Sequence, residues 1–116
     1  MTGMSSDEYV PLPEIAASDV APGTYILDVR EDDEWAAGHI DGSQHIPLGQ
    51  LMERLDELPA DQQVVVTCKM GGRSARATAY LVQSGRDAVN LDGGVTAWTA
   101  AGRPLVDGAG ATGSVL

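Results

Sequence analysis

The sequence predicts an α/β domain built on a mainly parallel sheet, and three observations carry that expectation. Short apolar runs alternate with segments of helical periodicity between residues 13 and 104. One run, Val64-Val65-Val66, is continuously β-branched, as suits a central strand buried on both faces. The third observation is size: 116 residues, 43% of them apolar, fit one domain able to bury its own core.

Residues 1–12 are polar and proline-bearing and are expected to form a flexible head. Tyr25-Ile26-Leu27-Asp28-Val29 is the first convincing strand. A short helix is expected over 31–37, with its acids in the first turn where the helix dipole favours them, and with Gly38 as its stop. Ile40 and His45-Ile46-Pro47 flank the turn residues Asp41-Gly42 and suggest a brief return strand. Leu48, Leu51, Met52, Leu55 and Leu58 recur at helical spacing up to Pro59.

The central strand then runs directly into Thr67-Cys68-Lys69-Met70-Gly71-Gly72-Arg73. A second, alanine-rich helix is expected over 74–84, closed by Gly85, then a strand over 88–91 and a last helix over 95–100 ending at Gly102. Residues 105–116, rich in glycine and alanine, read as a flexible tail. The tail contains a GxGxxG pattern at 108–113. No strand precedes it and only three residues follow, so it cannot cradle a pyrophosphate.

The net charge of −10 with seven basic residues argues against nucleic-acid binding. No apolar run approaches the ~20 residues of a membrane span, and no signal peptide is visible, so a cytoplasmic location is expected. One cysteine allows neither an internal disulfide nor a Cys-rich zinc site, leaving a free thiol. Four of the seven cations, Lys69, Arg73, Arg76 and Arg86, fall shortly after that cysteine, which suggests that an anion arrives there.

The segment 68–73 lies between a buried strand and a helix start, where open α/β sheets place their ligands. Paired glycines allow φ > 0 and a tight curl whose N–H groups converge as an anion nest. A thiolate in that nest, at a helix N-terminus, is stabilised in its charged form. Lys69 and Arg73 add positive charge, and Arg73 has the planar fork suited to an oxyanion. A solitary cysteine is usually a small buried core residue. Here strand end, paired glycines, two cations and helix start coincide, which favours the reactive reading.

These residues resemble the rhodanese family over 13–104. The matching pieces are Asp28-Val29-Arg30-Glu31, Gly38-His39-Ile40 with Gly42, His45-Ile46-Pro47, Cys68-Lys69-Met70-Gly71-Gly72-Arg73-Ser74, and Leu91-Asp92-Gly93-Gly94 with Trp98 and Pro104. The resemblance implies a five-stranded, mainly parallel sheet flanked by helices on both faces. It implies a thiosulfate-type sulfurtransferase in which Cys68 attacks a sulfane sulfur, carries it as a persulfide, and yields it to cyanide or a thiol. Lys69, Met70, Gly71, Gly72, Arg73 and Ser74 are then expected to bind the donor. Asp28 and Arg30 are expected to form a structural polar pair beneath the loop, with Arg30 bonding Glu34 or the loop carbonyls.

No cofactor or metal is expected. The partner is a small anionic sulfur donor, or a sulfur-relay protein if the chain is instead a persulfide carrier. Cysteine phosphatases and the arsenate reductases that resemble them use a loop one residue longer. Here only four residues, Lys69 to Gly72, separate Cys68 from Arg73, which favours sulfur transfer. A non-catalytic module is disfavoured by the intact cysteine.

His39 and His45 are expected to bond structurally rather than to act as acid, base or ligand. The Glu31-Asp32-Asp33-Glu34 cluster is expected to decorate a helix start rather than hold a metal. Trp35 and Trp98 are expected to pack, with Trp35 close enough to the rim to touch a donor.

Overall fold

The computed structural model describes residues 11–116, so all of the expected head except Pro11 and Leu12 lies outside the described residues. In chain order the elements are β1 (Glu14–Ile15), β2 (Tyr25–Asp28), α1 (Asp32–Ala37), β3 (Gln44–His45), β4 (Val64–Thr67), α2 (Gly72–Gln83), β5 (Ala88–Leu91) and α3 (Gly94–Ala100), with short 3₁₀ turns between several of them. The strands form one five-stranded sheet in the order β1-β5-β4-β2-β3. Every pairing is parallel.

The β-branched run sits at the centre of this sheet, as its composition requires. Alternation divides it between two cores. Val64 and Val66 face α2 and the leucines of 48–58, joining Leu27, Val29, Leu51, Ala77 and Leu81. Val65 faces the opposite side with Ile26, Leu91, Val95 and Trp98 of α3. Helices therefore cover both faces of the sheet. Among the described residues no helix is long and apolar enough to cross a membrane.

The register positions the cysteine loop. Asp28 of β2 pairs with Thr67 of β4, so both strands end level at one edge of the sheet. From β2 the chain moves outward to β3, and from β4 it moves the other way to β5. The order thus reverses between β2 and β4, where the segments 29–31 and 68–73 leave the sheet side by side.

Three expectations change. The leucine-rich stretch forms two 3₁₀ segments, Leu48–Gln50 and Met52–Glu57, with Arg54 out of helical geometry at φ −120° and ψ 20°. Leu48/Leu51 and Leu55/Leu58 are each three apart, a spacing that three residues per turn satisfies as well as 3.6. Met52 then falls off the buried face and is 72% exposed. Second, the return strand is Gln44–His45, and it runs parallel to β2 at the sheet edge because α1 provides a crossover.

Third, residues 105–116 fold back instead of trailing away. Leu105 is buried in the α3-side core, and Val115 packs against it. His39 and Val106 exchange two backbone hydrogen bonds of 2.8 Å, and Ser114 N–H donates to Ala37 O at 2.9 Å. The Asp107 carboxylate accepts the N–H groups of Ala109 and Ala111, both at 2.9 Å, which turns the glycine-rich segment tightly. A few apolar residues and one turn-forming aspartate outweigh the composition of this stretch.

Candidate active site

Cys68 follows the last residue of β4 and is 1% exposed. Its Sγ accepts the Gly71 N–H at 3.1 Å and the Ser74 hydroxyl at 3.2 Å. The loop closes this tightly because Gly71 adopts φ +106°, a conformation that L side chains rarely take. Burial pushes the Cys68 thiol up. The Ser74 hydroxyl, followed by the backbone N–H groups of Ser74, Gly71 and Met70, outweighs burial and holds the thiol below its ordinary value. The Gly71 N–H thus points inward at the sulfur, as a curl over paired glycines allows.

The loop is also held from behind. Val95 N–H donates to Cys68 O at 2.9 Å and Thr96 N–H donates to Lys69 O at 3.0 Å, so the first turn of α3 is capped by the loop's own carbonyls. Such proximity needs Gly94, because a Cβ there would overlap Cys68 O and lie 2.6 Å from Lys69 O. Buried Asn90 of β5 donates its Nδ2–H to Gly71 O at 3.1 Å. Neither Gly94 nor Asn90 was anticipated as a loop support. The Gly93-Gly94 pair was a visible signal, whereas Asn90 resembled an ordinary strand residue.

Arg73 is committed elsewhere. Its Nη1 and Nη2 donate to Glu34 Oε1 and Oε2 at 2.6 and 2.9 Å, joining the starts of α1 and α2 across the cysteine loop. The Arg73 hydrogen bonds pull the Glu34 carboxyl down to about 2, and the same contact raises Arg73. The acidic cluster does begin α1: Glu31 and Glu34 form a reciprocal capping box. Glu34 has the additional role of pairing with the loop arginine.

The expected gathering of cations dissolves in space. Arg86 lies beyond the far end of α2, with its Nη1 near Leu58 O and Pro59 O at 3.4 and 3.3 Å. Arg76 lies one helical turn past Arg73, in a groove of about 260 Å³ with Leu48, Leu51, Met52, Ala77 and Tyr80. Among the described residues, Lys69 and Arg76 are the cations that carry no side-chain hydrogen bond. Met70 is 69% exposed above the loop, Gly72 is exposed at the first position of α2, and Ser74 is buried against the sulfur.

Asp28 and Arg30 are fully buried. Arg30 Nε donates to both Asp28 oxygens at 3.0 Å, and its Nη2 donates to Asp28 Oδ2 and Gly38 O, both at 2.7 Å. Arg30 therefore bonds the end of α1 rather than Glu34 or the cysteine-loop carbonyls. His45 Nε2 meets Arg30 O at 2.7 Å and His39 Nδ1 meets Trp35 O at 2.8 Å, so each ring is anchored to backbone. The Trp35 ring lies parallel to His39 and His45, with centroids 3.6 and 4.8 Å away. Trp98 packs in the α3-side core and donates to Pro104 O at 3.0 Å.

The Gly71 N–H and the Ser74 hydroxyl thus surround a sulfur whose thiol is held below its ordinary value, an arrangement that favours a thiolate. A model of the rhodanese-like domain matches residues 13–101. A putative sulfurtransferase of Bacillus subtilis is 39% identical over 69% of this chain and 78% of its own length. The thiosulfate sulfurtransferase GlpE of Pseudomonas fluorescens is 36% identical over 82% of this chain and 87% of its own. The probable adenylyltransferase/sulfurtransferase MoeZ of Mycobacterium tuberculosis is 46% identical over 63% of this chain, which spans 19% of that protein. A rhodanese-related protein from Thermoplasma volcanium superposes with a TM-score of 0.78 at 36% identity, covering 81% of this chain and 97% of that one.

Proposed function

The chain belongs to the rhodanese-like family, and on that footing we propose that it transfers a sulfane sulfur through a persulfide on Cys68. The Cys68 thiolate attacks the outer sulfur of a donor such as thiosulfate, the sulfur–sulfur bond breaks, and sulfite leaves with the electron pair. The resulting Cys68–S–S⁻ passes its terminal sulfur to a thiophilic acceptor, cyanide or a thiol, and the thiolate is regenerated.

The observation that carries this reading is the pair of hydrogen bonds from Gly71 N–H and Ser74 Oγ to Cys68 Sγ, at 3.1 and 3.2 Å. They stabilise the nucleophile without a general base. The converging Met70, Gly71 and Ser74 N–H groups suit a terminal persulfide anion. In this reading Lys69 meets the donor's oxyanion, the exposed Met70 and Gly72 contact the donor, and Arg73 shapes the loop through its bond to Glu34. The four-residue separation of Cys68 and Arg73 favours this chemistry over phosphoryl or arsenate chemistry.

A second reading, a relay module loaded by one protein and unloaded by another, is favoured by the similarity to a segment of MoeZ. The exposed Met70 and the groove at Arg76 would then meet the partner. Intact-protein mass spectrometry after incubation with thiosulfate tests the proposal. A gain of one sulfur, removed by reductant and absent in Cys68→Ser, is expected. No gain from thiosulfate but a gain from a persulfidated cysteine desulfurase would select the relay reading, and no gain from either would refute both.

A further inference from the structure

Glu34 belongs to α1, yet it occupies the guanidinium of the cysteine loop. Both Nη atoms of Arg73 point at its two oxygens, at 2.6 and 2.9 Å. Glu34 Oε1 also accepts the Glu31 N–H at 3.0 Å, which fixes the carboxylate within the cap of α1. The Glu34 side chain is only 14% exposed. An anion approaching Arg73 therefore meets a neutral pair whose negative member is also tied into the cap of α1. Lys69 remains the loop cation without a carboxylate partner among the described residues.

We propose that Glu34 sets donor specificity by clamping and neutralising Arg73, so that the site disfavours a second negative charge on the donor. Monoanionic sulfane donors, such as organic thiosulfonates, are preferred over the thiosulfate dianion. This deepens the persulfide reading and rests on it. Methanethiosulfonate isolates the effect because it carries a methyl group where thiosulfate carries an anionic oxygen. With either donor the Cys68 thiolate attacks the outer sulfur and the sulfur–sulfur bond breaks. The electron pair leaves with sulfite or methanesulfinate, so no oxidant is required.

The test is the concentration dependence of sulfur loading onto Cys68, followed by mass, for both donors in the wild type and in Glu34→Gln. Glutamine keeps the acceptor that the capping box needs while removing the charge. The ratio of specificity constants, thiosulfate over methanethiosulfonate, is expected to rise about fivefold in the variant, the scale of one charge at contact in a water-like medium. The gain should lie in the half-saturating thiosulfate concentration rather than in the limiting rate, and added salt should shrink it.

Arg73→Met leaves Glu34 unneutralised and should move the ratio the opposite way, which keeps the test decisive if Glu34→Gln does not fold. An unmoved ratio, or a fall in Glu34→Gln, overturns the proposal while leaving the persulfide reading intact. Failure of both donors to load the wild type overturns the proposal together with transfer from a small donor, and leaves the relay reading to the persulfidated desulfurase.

Discussion

The backbone carbonyl of Cys68 accepts a hydrogen bond from the Val95 N–H at 2.9 Å, so the loop cysteine is fixed from behind by the first turn of α3. The loop's shape thus depends on a helix that begins more than twenty residues later in the chain. The contact also disposes of two groups that would otherwise be unpaired, a loop carbonyl and a helix-end N–H.

Gly94→Ala should break this arrangement. Its Cβ would overlap Cys68 O and lie 2.6 Å from Lys69 O, and both obstacles are backbone. The position also has φ +60°, which adds strain for any L residue. A loss of about 2 kcal/mol or more is expected in urea denaturation, the scale of overpacking in a rigid site. Sulfur loading on Cys68 should fall with it. A variant with wild-type stability and loading would show that α3 does not shape the loop.

Ser74→Ala should shift the pH dependence of Cys68 reactivity. The Ser74 hydroxyl favours the thiolate, so removing it raises the thiol pKa. Because the thiolate is the reactive form, the loss is greatest at low pH and disappears once the pH exceeds the raised pKa. Alkylation by iodoacetamide at neutral pH should slow roughly tenfold, the scale of one hydrogen bond to a charged group. Superimposable pH–rate curves for wild type and variant would remove Ser74 from the account.

What the chain reveals without its structure follows from the range of the interactions involved. Val64-Val65-Val66 identifies the central strand because burial on both faces imprints composition directly. Cys68 to Arg73 is readable because a curl over paired glycines is a local device. The commitment of Arg73 to Glu34 spans thirty-nine residues, and Glu34 resembles its exposed acidic neighbours until α1 and α2 are brought together. Asn90 and Gly94 support the loop only through the sheet order that places β5 beside β4. Likewise the glycines of 108–113 obscured Leu105 and Val115, whose contacts are with distant elements.

Asp28→Asn should be costly because Arg30 would keep its charge at a fully buried site. Arg30 has one further buried nitrogen, Nη1, with no hydrogen-bond partner among the described residues, so Asp28 is the carboxylate that compensates its charge there. Breaking a buried pair from one side typically costs about 3–5 kcal/mol, and a loss in that range is expected in urea denaturation. The double change Asp28→Leu, Arg30→Met should retain more stability than the single one, because it strands no charge. If the double variant proved the weaker of the two, the pair would be stabilising on balance rather than merely compensated.

Gly38→Ala tests whether the folded-back tail contributes to the domain. Gly38 has φ 176°, extended backbone open to any residue, so alanine adds no local strain. A Cβ there would instead overlap Ser114 O and lie 2.5 Å from Ser114 N, both in the tail backbone. The substitution should therefore dislodge residues 113–116 and open the C-terminal segment to limited proteolysis, with a stability loss of about 1 kcal/mol or more. In a chain ending at Thr112 the nearest obstacles, all in Ser114, are gone, and the cost should fall to a few tenths of a kcal/mol. Equal costs in the two backgrounds would place the clash elsewhere and leave the tail without a structural role.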